Sequence, residues 1–156
     1  MGMIKFGEIK FGNKIDITDP GYEKETWCRI NDIDIVPGVY SCYYSLLKEE
    51  NRIRAIKIVH KDYVSKVASQ SYYDTIGVDA GMAGFFENKP DFKGDDEWMQ
   101  FCEKVFDELD KTGLDVHLCD YGFYSESGYG DGTYPVYLLK DISGNTIGAK
   151  IVFINW

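Results

Sequence analysis

The chain has four cysteines but no C-x-x-C pair, only two histidines, and no long apolar run. Each shortage excludes something. Without paired cysteine spacing, neither a zinc ribbon nor a redox dithiol is indicated. We expect no secretory leader before Cys28, Cys42, Cys102 and Cys119, because Met1 to Phe11 holds neither an apolar core nor a cleavage site. We therefore expect reduced, buried thiols in a cytoplasmic protein. Gly2 is followed by Phe6 where a myristoylation signal needs Ser or Thr. No apolar stretch approaches the roughly 18 residues of a membrane-spanning helix, so no membrane partner is expected. Basic residues are also in the minority, 17 Lys and Arg against 26 Asp and Glu, for a net charge of −9. That balance repels phosphate backbones, and direct nucleic-acid binding is not expected. It does keep a small domain soluble.

What the sequence has in surplus is aromatic side chain, 15% of 156 residues, with twelve tyrosines. Aromatic residues fit pleated, half-buried surfaces, and the length suits one domain spanning 1–156. Ile15 and Ile17 alternate with Asp16 and Thr18, the period of a half-buried strand, and Ile4 to Phe11 before them reads as its hairpin partner across Gly12-Asn13. Asp19-Pro20-Gly21, Pro37-Gly38 and Gly144-Asn145 are turn signals. Strands are expected over 39–47 and 52–60, joined by the polar Lys48-Glu49-Glu50-Asn51, and again over 116–124, 133–139 and 146–154. Pro135 points to an edge strand or a bulge. The small residues between Thr75 and Phe86 suggest strands closely approached by other backbone. One amphipathic helix is expected over 95–110, because Trp98, Cys102, Val105, Phe106 and Leu109 form a stripe. The predicted fold is mainly β: an antiparallel β-sandwich or partly open barrel with that helix packed on it.

Chemistry is less legible. In Ser127-Gly128-Tyr129-Gly130-Asp131-Gly132, alternating glycines allow backbone N–H groups to converge on an anion. The run is not a P-loop, since no G-K-[ST] follows, and it is not a nucleophile elbow. The plain alternative is a tight, bulged hairpin loop between strands 117–125 and 133–139. Asp19, Asp79 and Asp131 would form a divalent-cation site if the fold gathered them. Otherwise each caps a turn through its own side chain. No cofactor is otherwise predicted. His117 and Cys119 are two apart on a strand and so share a face, but no third group orients them, and we expect no catalytic residue.

Four segments are distinctive together: Ile15 to Tyr22, Trp27-Cys28, Gly77 to Phe86, and Ser125 to Gly132. They resemble an uncharacterised family of small bacterial and phage-borne proteins with D-P-x-Y, V-D-A/S-G and S-G-x-G-D-G segments. The resemblance implies that Asp19, Tyr22, Asp79, Gly81, Ser127, Gly130, Asp131 and Gly132 are the positions that matter. It also implies a mobile-element accessory role, including interference with host defence. With Tyr129 as a stacking ring beside them, these residues suggest a non-catalytic module that binds a small planar or phosphorylated ligand. The alternatives are a protein-interaction or inhibitor protein whose acidic, aromatic surface docks on a basic partner, such as a host protein, and a metal-assisted hydrolase.

Overall fold

The structure, a computed structural model, describes residues 2–21, 29–79, 81–88, 100 and 115–154. The helix expected over 95–110 lies outside the described residues apart from Gln100, as do Tyr22, Trp27, Cys28 and Cys102.

Eleven strands are described: β1 (Ile4–Phe11), β2 (Lys14–Thr18), β3 (Ile30–Asp34), β4 (Gly38–Leu47), β5 (Arg52–His60), β6 (Ser69–Val78), β7 (Met82–Glu87), β8 (Val116–Cys119), β9 (Gly122–Glu126), β10 (Gly132–Lys140) and β11 (Thr146–Val152), with a 3-10 helix at Lys61–Lys66. They form a six-stranded sheet, order β1-β4-β5-β11-β10-β6, and a five-stranded sheet, order β3-β2-β7-β9-β8. All pairings are antiparallel. The two sheets are not closed into a barrel, and a sandwich fits them. Among the described residues no helix is long and apolar enough to cross a membrane.

The core between the sheets follows from period two. On β4, Tyr40 and Cys42 point inward; on β5, Ile56 and Ile58 meet them, and from the second sheet come Ile15, Ile17, Phe85 and Phe123. Each of these is fully buried, and each large apolar side chain so buried contributes roughly 1.5–3 kcal/mol against an exposed one. Cys42 and Cys119 are free thiols. Burial pushes the Cys42 thiol up to about 12, and it is 0% exposed. We therefore expect Cys42 to resist iodoacetamide in the native protein and to react at the rate of an ordinary thiol in urea. Peptide mass mapping checks this; native labelling at Cys42 would contradict the packing.

Three expectations need correction here. The opening segment is not a hairpin: β1 pairs with β4, and β2 pairs with β3 and β7. Gly12-Asn13 hands the chain from one sheet to the other. β2 is not half-buried either, since Asp16 and Thr18 are 1% and 2% exposed. The outer face of the five-stranded sheet carries its own cluster around Phe86 and Tyr124, so that sheet is covered on both sides. The segment read as one strand over 116–124 is the hairpin β8–β9. Of the two readings of Pro135, an edge strand or a bulge, the second holds: β10 lies between β11 and β6, and its ladder with β6 shifts register next to Pro135, between Val136 and Tyr137.

Close backbone approach within 75–86 is present at Gly84. A Cβ there would stand 2.2 Å from the Phe123 carbonyl oxygen.

Candidate functional site

The segments singled out in the sequence meet at one end of the sandwich, where the chain changes sheet twice, between β6 and β7 and between β9 and β10. Asp19 follows β2, Asp79 and Gly81 lie between β6 and β7, and 127–131 link β9 to β10. The glycine run is thus a crossing between sheets and not a hairpin loop.

Asp19 is fully buried. Its Oδ1 accepts from the Gly21 N–H at 2.7 Å and its Oδ2 from the Asp79 N–H at 2.7 Å. The Asp-Pro-Gly turn thereby closes on itself and is tied to the crossing between β6 and β7. The Ser127 N–H donates to the Gly81 carbonyl at 3.1 Å, which ties in the other crossing, between β9 and β10. Gly132 sits opposite Val78 on the β10–β6 ladder. Asp79 and Asp131, by contrast, are exposed. The three carboxylates do not face a common centre, and among the described residues no group of three His, Cys, Asp or Glu is placed to hold a metal ion.

The glycine run is bonded to itself and its neighbours. The Ser127 hydroxyl, fully buried, donates to the Gly130 carbonyl at 2.6 Å, and the Tyr134 hydroxyl donates to the same oxygen at 2.6 Å. The Gly130 N–H donates to the Ser127 carbonyl. Gly128 (φ 66°) and Gly130 (φ 109°) occupy the left-handed region that glycine tolerates best. Arg52 donates to the Gly128 carbonyl at 2.9 Å and lies over the Tyr129 ring, 4.9 Å from its centroid. The Tyr129 hydroxyl bonds the Glu50 carboxylate. Glu126 accepts from the Ile53 N–H at 2.9 Å. Burial raises its carboxyl above the ordinary range, opposed by that N–H and by Arg52 and reinforced by Asp115. The turn between β4 and β5 therefore clasps the glycine loop.

The histidines are engaged structurally. His60 bonds the Pro37 carbonyl at 3.0 Å and accepts from the Asp62 N–H at 3.1 Å, capping the 3-10 helix. His117 lies 2.6 Å from Asp115 Oδ1 and stacks on Tyr124, while the Cys119 thiol donates to the Gly122 carbonyl.

Two groupings were not expected. One is a buried polar cluster on the five-stranded sheet. Asp16 pairs with Arg29 at 3.1 Å and also accepts from the Asp32 N–H and from Asn88 Nδ2. The other lies on the outer face of the six-stranded sheet. Lys5 is opposite Tyr43, Tyr43 opposite Lys57, Lys57 opposite Lys150, Lys150 opposite Tyr137, and Tyr137 opposite Tyr72. Lys5, Tyr43, Lys57, Lys150 and Tyr137 alternate with the core positions of their strands, and the register shift between Asp74 and Tyr72 brings Tyr72 onto the same far face. The row crosses all six strands, about 24 Å at the usual strand spacing.

Within that row Lys57 and Lys150 are directly opposed and half-buried. Neither has an ion-pair partner among the described residues. Burial lowers the pKa of both; Lys150 adds to the effect on Lys57, and Arg54 to that on Lys150. Tyrosines flank the pair. Lys57 Nζ lies 5.1 Å from the Tyr43 ring centroid, and Tyr137 meets Tyr72 edge-on at 6.1 Å.

The fold and these sites define an antiparallel two-sheet β protein with a braced crossing end and an open basic-aromatic sheet face. Comparison with models of protein families, with curated proteins and with solved structures gave no match.

Proposed function

We propose that the protein is a non-catalytic interaction module that docks an acidic segment of a partner protein on the outer face of its six-stranded sheet. The observation that carries this reading is the opposed, uncompensated Lys57–Lys150 pair. Like charges directly opposite each other on a sheet destabilise it. A chain with 26 acidic residues has none of them beside this pair among the described residues, and an incoming carboxylate would relieve the repulsion. The flanking tyrosines supply large, rigid contact area with little rotamer freedom to lose. A row about 24 Å long on a sheet face suits an extended segment better than a compact small molecule, which favours concave sites. Two uncompensated lysines on a molecule of net charge −9 are few for a nucleic-acid strand, whose affinity grows with the number of phosphates neutralised.

The small-ligand reading at the glycine run has less support, because the Ser127 hydroxyl, the Gly130 N–H and the Asp19 carboxylate are already bonded within the protein. We read that end as the brace that holds the two sheets in register. The free thiols of Cys42 and Cys119 fit a cytoplasmic setting.

An amide-correlation NMR titration with a hexaglutamate peptide, and in parallel with an oligothymidylate of similar length, tests the proposal. We expect the peptide to shift the signals of Tyr43, Lys57, Tyr137 and Lys150, with the response weakening as salt is added. Shifts confined to 127–132 would return the site to the glycine run. A stronger response to the oligonucleotide would assign the face to nucleic acid. Either result overturns the proposal, as does no response to either probe.

A further inference from the structure

The surroundings of the Lys57–Lys150 pair lack negative charge. On the outer face of the six-stranded sheet, the cross-strand rows to either side of the pair hold Ser41, Val59 and Gly148, and Ser45, Ala55 and Val152. None is acidic, in a chain with 26 acidic residues. A carboxylate on this face, Glu8 opposite Ser41, is held by Lys5 at 2.8 Å and Lys61 at 3.6 Å. A further positive charge lies beside the pair. Arg54 is the extra residue of the bulge in the β4–β5 ladder, and its bond to the Ser45 hydroxyl at 2.9 Å turns it toward this face. It is buried, and its charge acts on Lys150. Glu49 acts on Arg54 but on neither lysine. Two half-buried amines and a guanidinium are thus gathered on one acid-free patch.

We propose that the acidic segment presents a phosphotyrosine to the Lys57–Lys150 pair, which rests on the reading of this face as a docking surface and adds the chemistry of what docks. Charge decides between a carboxylate and a phosphate. A carboxylate brings one negative charge and two oxygens. A phosphate monoester brings about −1.5 to −2 at neutral pH and three acceptor oxygens, so it answers both ammonium groups at once. Directly opposed side chains start about 4.5–5.5 Å apart at Cβ, and flexible lysine stems let both ends reach one phosphate. Shape decides which phosphorylated residue. Along the row the pair is bounded by the rings of Tyr43 and Tyr137, and along the strands by shorter side chains. A phosphoserine would have to bring the partner's backbone down between those rings. A phosphotyrosine reaches in from above them, and its own ring lies against the flanking tyrosines, where aromatic pairs add to the contact. Phosphorylation of the partner thereby becomes the switch that sets docking.

Fluorescence anisotropy tests it, with the full chain and labelled peptides that carry two glutamates on each side of a central phosphotyrosine, phosphoserine, tyrosine or glutamate. The phosphotyrosine peptide is expected to bind most tightly, about tenfold or more above the tyrosine and glutamate peptides. Lys150→Gln, which removes a charge without adding one, should abolish that advantage. The phosphorus NMR signal of the bound peptide should move with the wild type and stay still with the variant. Equal binding of all the peptides overturns the phosphotyrosine assignment and leaves acidic docking standing. Equal binding of the phosphoserine and phosphotyrosine peptides also overturns it, as does an advantage that survives Lys150→Gln. Binding of none of them overturns both readings of the face.

Discussion

Replacing Asp19 by alanine should lower the unfolding free energy by about 3–5 kcal/mol, because hydrogen bonds to a charged group contribute roughly 1.5–3 kcal/mol each and their loss strands buried donors. The side chain is fully buried and accepts two backbone N–H groups, one from its own turn at Gly21 and one from Asp79. It therefore holds the β2 exit against the link between β6 and β7, and loosening it loosens both sheets at that end. Asp19→Asn keeps the volume and one acceptor oxygen but turns the other position into a donor facing a donor, so a loss of the same order is expected. Urea unfolding followed by circular dichroism measures both. The result also separates two roles. A carboxylate kept for a ligand or a metal is commonly held at a cost to stability, and its removal stabilises the empty protein. A carboxylate that braces the fold does the opposite. A loss below about 1 kcal/mol, or a gain, would reopen Asp19 as a functional acid.

Lys150→Glu should act in the other direction: the protein becomes more stable and loses its binding. The substitution replaces a like-charge cross-strand pair with an opposite-charge pair, each worth roughly 0.2–1 kcal/mol, so a gain of about 1 kcal/mol is expected at low salt. Lys150 suits this test better than Lys57, whose ammonium also lies over the Tyr43 ring. Hexaglutamate affinity should fall more than about tenfold, because an attractive charge becomes a repulsive one. The pH dependence follows from the lowered Lys150 pKa. A lysine whose folded pKa lies below its unfolded value penalises the fold while it is protonated, and the penalty fades as pH rises from the folded pKa toward the ordinary 10.5. The stability advantage of the variant should therefore be full near neutrality and narrow toward that value.

Much of the local structure was legible because its determinants are local. The Asp19-Pro20-Gly21 turn closes through the Asp side chain as its composition implies, and Asp141 similarly accepts from the Ser143 and Asn145 N–H groups in the β10–β11 turn. The hairpins β4–β5 and β10–β11 join strands adjacent in the chain, so alternation and turn residues sufficed. The sheet crossings were not legible. Gly12-Asn13 and the glycine run have the composition of hairpin turns, and only the partners found by β1 and β10 show that the chain leaves the sheet there. Asp16 looked like a solvent-facing residue because period two reports alternation and not what covers the far side. The Lys-Tyr row was invisible for the same reason. Each member is an unremarkable surface residue of its own strand, and the row exists only through the order β1-β4-β5-β11-β10-β6. Of the candidate residues, Asp19, Asp79, Gly81, Ser127 and Gly132 do come together, through the Asp19 carboxylate and backbone hydrogen bonds.

The outer sheet face is left electrostatically unsatisfied until a partner arrives. Thermal unfolding of the wild type and Lys150→Glu at low salt, each with and without hexaglutamate, tests that most directly. The variant is expected to melt higher than the wild type alone, and saturating peptide to raise the wild type while leaving the variant where it was. A variant that melts below the wild type without peptide, or a peptide that raises both equally, would contradict it.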